Sequence, residues 1–178
     1  MTRLKLTQWQ FITHYSLVFL LMIPNLLSIF SIIENAFGVY RGKADVNDWY
    51  ASFMFFSIVI FLLFIIQYRR LNFIKIEIIF TENQFEEAVR RTAKDLEWKI
   101  LRNNKKMLQA SRNNMFGSLL GELITIIKGE GFVLINSICD PNKWTNIFSF
   151  NRNQENVKIF LRNLSDVTNE KPEIQKKK

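Results

Sequence analysis

Residue types that commonly carry out chemistry are scarce in this sequence of 178 residues. Its single histidine and single cysteine leave no disulfide framework, no zinc site built from protein ligands alone and no cysteine–histidine catalytic pair. Three carboxylates, Glu122, Glu130 and Asp140, lie near the ends of predicted strands, but their spacing forms no general acid–base pair. The sequence therefore predicts no catalytic residue, no metal and no cofactor, and an enzyme is the weakest of three functional hypotheses.

Polar residues inside an apolar run form the first group of candidate functional residues. His14, Pro24 and Asn25 lie in an uncharged run at 11–33. Proline removes a helical hydrogen bond and frees a carbonyl group, and Asn25 is suited to bond to that neighbourhood or to a second protomer. An ionisable residue within a membrane is a candidate for proton or ion transfer, but His14 lies near the predicted interface, where packing is the simpler interpretation. We expect these three residues to make polar contacts inside the membrane.

Basic and apolar residues form the second group of candidates. Arg69 and Arg70 directly follow a second apolar run, and Arg112, which suits phosphate headgroups, precedes an apolar segment at 115–121. Loops are normally polar, so this segment predicts contact with the bilayer or with a partner's groove. The alternatives are a loop folded onto the core and a short helix that caps the core. The candidate contact residues of this segment are Met115, Phe116, Leu119 and Leu120.

Two long apolar runs are the elements that must position these residues. The run at 11–33 has 23 residues without a charged side chain, and as a helix it spans roughly 34 Å, enough for a hydrocarbon core of about 30 Å. The run at 49–68 begins with Trp49 and Tyr50 and ends with Tyr68, as expected for aromatic residues at both membrane interfaces. Both runs predict transmembrane helices; the alternatives are a buried core helix and, for the first run, a cleaved signal peptide.

The distribution of basic residues predicts the orientation of this helical pair. Arg3 and Lys5 lie in the N-terminal segment 1–10, and more basic residues follow the second run. The connecting loop 34–48 carries two basic and three acidic residues. We therefore expect both termini in the cytoplasm, and the absence of a transit signal favours a bacterial inner membrane.

The region 72–166 has the periodic patterns of a soluble domain. Alternation of apolar and polar residues at 73–80 predicts a strand, with a helical extension of the second membrane segment as the competing interpretation. Thr81 and Gln84 form a capping-box pattern that opens a helix at 82–97.

Charge spacing supports that helix. Glu86 with Arg90, and Glu87 with Arg91, are four residues apart in the favourable orientation.

Turn signals divide the rest of the domain into two hairpins and a helix. Asn103 and Asn104 mark the first turn, because asparagine tolerates the left-handed conformation of a tight hairpin, and the glycines at 129–131 mark the second. The predicted strands are 98–102, 106–112, 122–128 and 132–140, followed by a helix at 153–164 and a basic, disordered tail at 167–178.

The predicted fold is a transmembrane helical hairpin followed by a cytoplasmic α+β domain. The domain order β-α-β-β-β-β-α predicts an antiparallel sheet with two helices on one face. This order resembles the half-repeat of TATA-binding-protein-like domains, and the resemblance implies a fold without implying a function.

One predicted strand points to assembly with other molecules. The strand at 132–140 is apolar on both faces, and two helices cover only one face of a sheet. The other face then requires the membrane, a partner or a second copy, unless loops cover a central strand.

The function favoured by the sequence is a non-catalytic, membrane-anchored protein- or lipid-interaction module. The expected partners are the lipid bilayer and a second copy or another membrane protein. After Tyr68 the chain carries 20 basic and 13 acidic residues, which suits an anionic leaflet or simply obeys the positive-inside rule. No dense basic run interleaves with aromatic residues, which argues against nucleic acid. The alternative is an oligomeric transport or channel subunit, because two helices alone cannot enclose a pathway.

Overall fold

The chain folds as two compact units. The computed structural model describes residues 3–40, 42–114, 117–143 and 151–169, with the backbone alone given for 114 and 117–120. One unit, Leu6–Arg70, is called the helical hairpin. The other, Leu71–Lys178 together with Met1–Lys5, is called the α+β domain.

The helical hairpin contains α1 (Gln8–His14), α2 (Ser16–Ala36) and α3 (Val46–Arg70). The prediction of one helix over 11–33 is wrong at its start, because the helix is interrupted at Tyr15. Tyr15 is 3% exposed and its ring stacks on Phe64 with centroids 5.4 Å apart. Beyond this interruption α2 continues through Pro24 without a break.

Two helices of this unit are long and apolar enough to cross a membrane. The mean hydropathy of the apolar window is 2.3 in α2 and 2.4 in α3, yet only 11% of the first window and none of the second is buried. Phe30, Phe55 and Phe61, for example, are 59%, 62% and 63% exposed. Core helices of soluble proteins bury such side chains, so these two helices are not core helices of this chain.

The α+β domain is built on a five-stranded antiparallel sheet. Its elements are β1 (Ile74–Glu77), α4 (Glu82–Leu96), β2 (Lys99–Asn103), β3 (Met107–Asn114), β4 (Gly117–Gly129), β5 (Phe132–Cys139) and α5 (Arg152–Asn169). The strands lie in the order β1-β5-β4-β3-β2, so β1 and β2 form the two edges. The predicted antiparallel sheet with accompanying helices is confirmed.

The domain core combines α4, α5 and one face of the sheet. Its wholly buried apolar members are Phe85, Ala88, Leu108, Ala110, Ile124, Ile126, Val133, Ile135, Phe160 and Leu164. Fully burying one large aliphatic or aromatic side chain contributes roughly 1.5–3 kcal/mol. This core therefore holds the two helices against the strands that carry the polar residues described below.

The other face of the sheet is also covered in part. Leu123, Thr125, Asn136 and Ile138 are at most 6% exposed, whereas Leu134 is half-buried. The two-sided pattern of β5 is that of an interior strand, because β5 lies between β1 and β4. Ile138 is wholly buried within a single chain, so its apolar character does not require a second copy.

Local signals explain where α4 begins and how it is charged. Thr81 Oγ1 accepts from the Gln84 amide and Gln84 Oε1 accepts from the Thr81 amide, at 3.3 and 2.8 Å, which is the predicted capping box. Arg91 pairs with Glu87 at 2.8 Å as predicted, but Arg90 also pairs with Glu87, at 2.7 Å, rather than with Glu86. The hydrogen bonds from Arg90 and Arg91 lower the pKa of Glu87 to about 2.

Both predicted hairpin turns are present, one of them for a different reason. Gly131 has φ +76°, which favours glycine. Neither Asn103 nor Asn104 has a positive φ. Instead, Asn104 Oδ1 accepts hydrogen bonds from the amides of Lys106 and Met107 at 3.0 and 2.7 Å, so its side chain stabilises the turn.

Three predicted boundaries need correction. The segment 73–80 forms a strand only over Ile74–Glu77. The predicted loop at 115–121 is a strand from Gly117 onwards, because Gly117 pairs with Asn114 and Gly121 with Asn113. The predicted tail begins too early, since α5 continues to Asn169 and residues 170–178 lie outside the described part of the chain.

Candidate functional site

His14 connects the two ends of the helical hairpin. It is 4% exposed, and its Nε2 donates a hydrogen bond to the backbone carbonyl of Gln67 at 3.1 Å. Gln67 lies in the last turn of α3, where a helix leaves four carbonyls without helical partners. His14 therefore satisfies an orphan carbonyl group and fixes α1 against the end of α3.

A second polar contact connects the middles of α2 and α3. Asn25 Nδ2 donates to Ser57 Oγ at 3.1 Å, and Asn25 Oδ1 is buried without a hydrogen-bond partner among the described residues. Asn25 therefore contacts the other helix of the same hairpin, whereas a bond from Asn25 to a second protomer stays a prediction. Polar contacts of this kind between membrane helices contribute on average about 0.6 kcal/mol.

Pro24 takes part in a third contact through its carbonyl group. Ser28 Oγ donates to the Pro24 carbonyl at 3.0 Å and lies 3.1 Å from Ser52 Oγ. Ser28 is wholly buried. Of the residues in these contacts, the sequence pattern singles out Pro24 as a candidate but not Ser28, Ser52 or Gln67. Their only signal is that they are polar residues in or beside apolar runs.

The basic residues at the end of α3 occupy its last turn. Arg69 is exposed and Arg70 is partly exposed. Cations in the last turn of a helix interact favourably with the helix dipole. Their contact with lipid or a partner stays a prediction, as does that of the apolar segment. Met115 and Phe116 lie outside the described residues, and for Leu119 and Leu120 only the backbone position in β4 is described.

Arg112 is engaged inside the α+β domain. Its Nη1 lies 2.7 Å from Glu155 Oε2 and 3.4 Å from Asn156 Oδ1, both on α5. The Arg112 side chain is only 15% exposed. A phosphate contact by Arg112 stays a prediction, and it would require the phosphate to compete with the Glu155 carboxylate.

Asn156 is the centre of this polar network. It is wholly buried, accepts a hydrogen bond from Trp98 Nε1 at 3.0 Å and donates to Ser137 Oγ at 3.1 Å. Ser137 Oγ in turn donates to Asn153 Oδ1 at 3.1 Å. The network connects the residue before β2, strand β5 and α5, so its first role is to position α5 on the sheet. Sequence reasoning missed it, because Trp98 and Asn156 are far apart in the chain.

Glu122 is the most deeply buried carboxylate of the network. It is 4% exposed on β4, and Arg152 Nε lies 3.2 Å from its Oε1. Burial raises the pKa of Glu122, although the guanidinium groups of Arg152 and Arg112 act in the opposite direction. Arg152 also donates to the Asn113 carbonyl at 2.8 Å.

A cleft of about 440 Å³ adjoins these groups. Its charged lining residues are Asp95, Glu97, Arg112, Arg152 and Glu155. The cleft carries three acids and two cations, so it has no excess of positive charge that would bind an anion. The arrangement holds a buried acid next to a guanidinium group without a second acid or base aimed at a common point, and it supports a structural role.

No group of three potential metal ligands occurs among the residues that the structure describes. Comparison with known proteins gives no further guidance, since no family model, no curated protein and no solved structure matches the chain.

Proposed function

We propose that this chain is an integral membrane protein in which the helical hairpin anchors the α+β domain as a non-catalytic protein- or lipid-interaction module. The observation that carries the proposal is the exposure of apolar side chains along α2 and α3. In water, two such helices would expose far more contiguous apolar surface than monomeric soluble proteins do. In a bilayer the same side chains face hydrocarbon, and the internal polar contacts of the hairpin remain shielded.

The N-terminal segment supports the placement of both ends of the hairpin on the same side. The Leu4 amide donates to the Leu71 carbonyl at 2.9 Å, and Arg3 Nε donates to Asn72 Oδ1 at 2.9 Å. The chain therefore leaves the α+β domain just before the helical hairpin and returns to the domain just after it. With basic residues concentrated at these ends, the positive-inside rule favours the cytoplasmic side for the domain and both termini.

Strand register supports contact between one end of the sheet and the bilayer. Ile74 aligns with Ile135, Ile126 and Leu108 across four strands. From Leu108, β3 runs six residues further to Asn114, about 20 Å, towards the end of the sheet at which the chain enters β1.

The end of the sheet at Asn114, where the chain enters β1, is called the projecting end. Only residues 71–73 lie between α3 and β1 in the chain. The backbone of Leu119 and Leu120 lies at this projecting end. This is the end where a lipid contact by those residues is expected.

The transport alternative receives less support. Polar lining residues would need to face a lumen, whereas His14, Asn25 and Ser28 bond to groups within the hairpin. A homo-oligomer or another membrane protein as partner remains compatible with the anchored module.

A matched pair of arginine substitutions tests membrane insertion. Phe61 on α3 is 63% exposed and Ile79 in the α+β domain is 86% exposed. In water, Phe61→Arg and Ile79→Arg would both be tolerated as surface changes. In a bilayer, arginine near the centre of a helix opposes insertion by about 2.5–3.5 kcal/mol.

The assay is extraction of expressed membranes with alkaline carbonate. We expect the wild-type chain and Ile79→Arg to stay in the pellet and Phe61→Arg to be reduced there or degraded. If all three chains appear in the supernatant, the membrane proposal is wrong.

Orientation is tested with Cys139→Ser chains that carry a single new cysteine at Lys43 or at Asp166. An impermeant maleimide should label intact cells only at position 43.

A further inference from the structure

Strand β2 is an edge strand with an open outer side. Among the residues that the structure describes it pairs only with β3, and all five of its residues are exposed. An edge strand of this kind presents backbone N–H and C=O groups to another extended chain. The opposite edge, β1, lies next to the N-terminal segment, since Arg3 forms a bridge with Asn72 just before it.

Strand β2 and the turn that follows it carry four exposed cations. Lys99, Arg102, Lys105 and Lys106 are all exposed, and none forms an ion pair among the described residues. No acidic residue occurs between Trp98 and Gly121. We call 99–106 the basic edge.

Several other cations of the domain are paired with acids. Arg112 pairs with Glu155, Lys128 with Glu82, and Arg162 with Asp95. The basic edge differs from them because its four cations are exposed and lie on one sheet edge, whereas Lys94 and Lys158 are exposed on α4 and α5.

The basic edge also exposes two aliphatic side chains. Ile100 and Leu101 are 40% and 53% exposed, and the register shifts between Ile100 and Arg102, so that Leu101 forms a bulge. Lysines and bulges on an edge discourage pairing between identical copies. Like charges facing each other disfavour a second copy in the same way, and the exposed cations favour a pairing strand that carries negative charge.

The position of the basic edge in the sheet favours a protein over the bilayer as its occupant. Lys99 aligns with Ser111 and Asn103 with Leu108, whereas β3 projects on to Asn114. The edge therefore begins about 10 Å short of the projecting end, and its turn is about 20 Å from that end. If the projecting end contacts lipid, most of these cations lie beyond the Debye length of about 8 Å.

We propose that the basic edge binds an extended, acidic segment of a partner protein, which adds to the sheet beside β2. Backbone hydrogen bonds to β2 supply the pairing, and acidic side chains of the partner meet the four cations. The inference rests on the proposed role of the domain as an interaction module and names the chemistry of its partner.

The test uses the full chain in detergent and in phosphatidylcholine nanodiscs. The probe is a fluorescent synthetic peptide of alternating glutamate and valine, and its anisotropy reports binding. The control peptide has the same charge but carries proline at alternate positions, which removes backbone donors. The chain variants are Lys99→Glu with Arg102→Glu, and a matched pair, Lys94→Glu with Lys158→Glu, which changes net charge equally on exposed helix positions.

We expect the alternating peptide to bind the wild-type chain and the matched pair with affinities within about twofold of each other. Because like charges would then face the peptide, the change at Lys99 and Arg102 should weaken binding on the order of tenfold or more. The proline peptide should not bind.

Several results would overturn the inference. They are absence of binding, equal weakening by both variant pairs, or equal binding of the proline peptide. Loss of binding only when phosphatidylglycerol is added to the nanodiscs would assign the edge to lipid instead. A chain that does not enter nanodiscs contradicts the membrane proposal. In that case, peptide binding in detergent still tests the proposal for the basic edge.

Discussion

Replacing Asn156 with alanine should destabilise the α+β domain strongly, because Asn156 is the acceptor for a buried indole. Trp98 is 6% exposed, and its Nε1 donates to Asn156 Oδ1 at 3.0 Å. Leaving that donor buried without a partner costs about 1–3 kcal/mol. The space left by the amide adds about 1 kcal/mol. Ser137 loses one donor but still donates to Asn153.

The expected loss is therefore about 2–4 kcal/mol, which corresponds to a fall in Tm of roughly 10–25 °C for a domain of this size. The measurement is thermal unfolding of the full chain in detergent, followed by near-ultraviolet circular dichroism. Gln154→Ala, an exposed change on the same helix, should alter stability by less than about 0.5 kcal/mol.

A double-mutant cycle separates the hydrogen bond from the loss of volume. Trp98→Phe removes the donor, so Asn156→Ala should cost at least about 1 kcal/mol less in that background. If Asn156→Ala behaves like Gln154→Ala, or if its cost is the same with Phe at position 98, the hydrogen bond from Trp98 to Asn156 does not hold α5 on the sheet.

Three further expectations concern other contacts. Burial raises the pKa of Glu122. The stability that the protonated Glu122 side chain contributes is therefore fully present below its pKa in the unfolded chain, about 4.3. This contribution is lost as the pH rises through the pKa of Glu122 in the folded chain. Glu122→Gln should remove this part of the pH dependence in chemical unfolding, and an unchanged profile would contradict it. Thr81→Ala should lower unfolding free energy by about 1 kcal/mol through loss of the N-cap, whereas Thr81→Ser should restore most of it; equal losses would refute the capping argument. Asn25→Ala and Ser57→Ala should show a coupling of about 0.6 kcal/mol in thermal unfolding, and independent effects would mean that the contact contributes nothing.

The two long apolar helices could be located from sequence because run length and absence of charge are local properties. The interruption at Tyr15 could not, since it accompanies packing on Phe64 and the bond from His14 to Gln67, more than forty residues away in the chain. Polar residues of the second run gave no indication of which residue in the first run each one faces. Their pairing depends on how the two helices pack.

In the α+β domain, several signals that act within a few residues were reliable, although the predicted Glu86–Arg90 pair is replaced by a Glu87–Arg90 pair. The capping box at Thr81 and the glycine turn at Gly131 are examples. The start of β4 was wrong because Gly117 and Gly121 suggest a loop locally, whereas pairing with Asn113 and Asn114 makes a strand. The network around Asn156 was missed for a related reason, since a buried asparagine within a polar helix has no distinguishing sequence pattern.

The polar groups of the helical hairpin and those of the α+β domain have different roles. In the helical hairpin, His14 and Ser28 are buried and bond within the hairpin, so its outward side chains are mainly apolar and suit lipid. In the α+β domain, the cations beside α5 are neutralised by acids such as Glu155 and Glu122. Since a buried, paired cation attracts a distant anion far less than an exposed, unpaired one, recognition of an acidic partner should depend on the basic edge rather than on the cleft. Changes that break the Arg112–Glu155 pair should then alter stability more than binding.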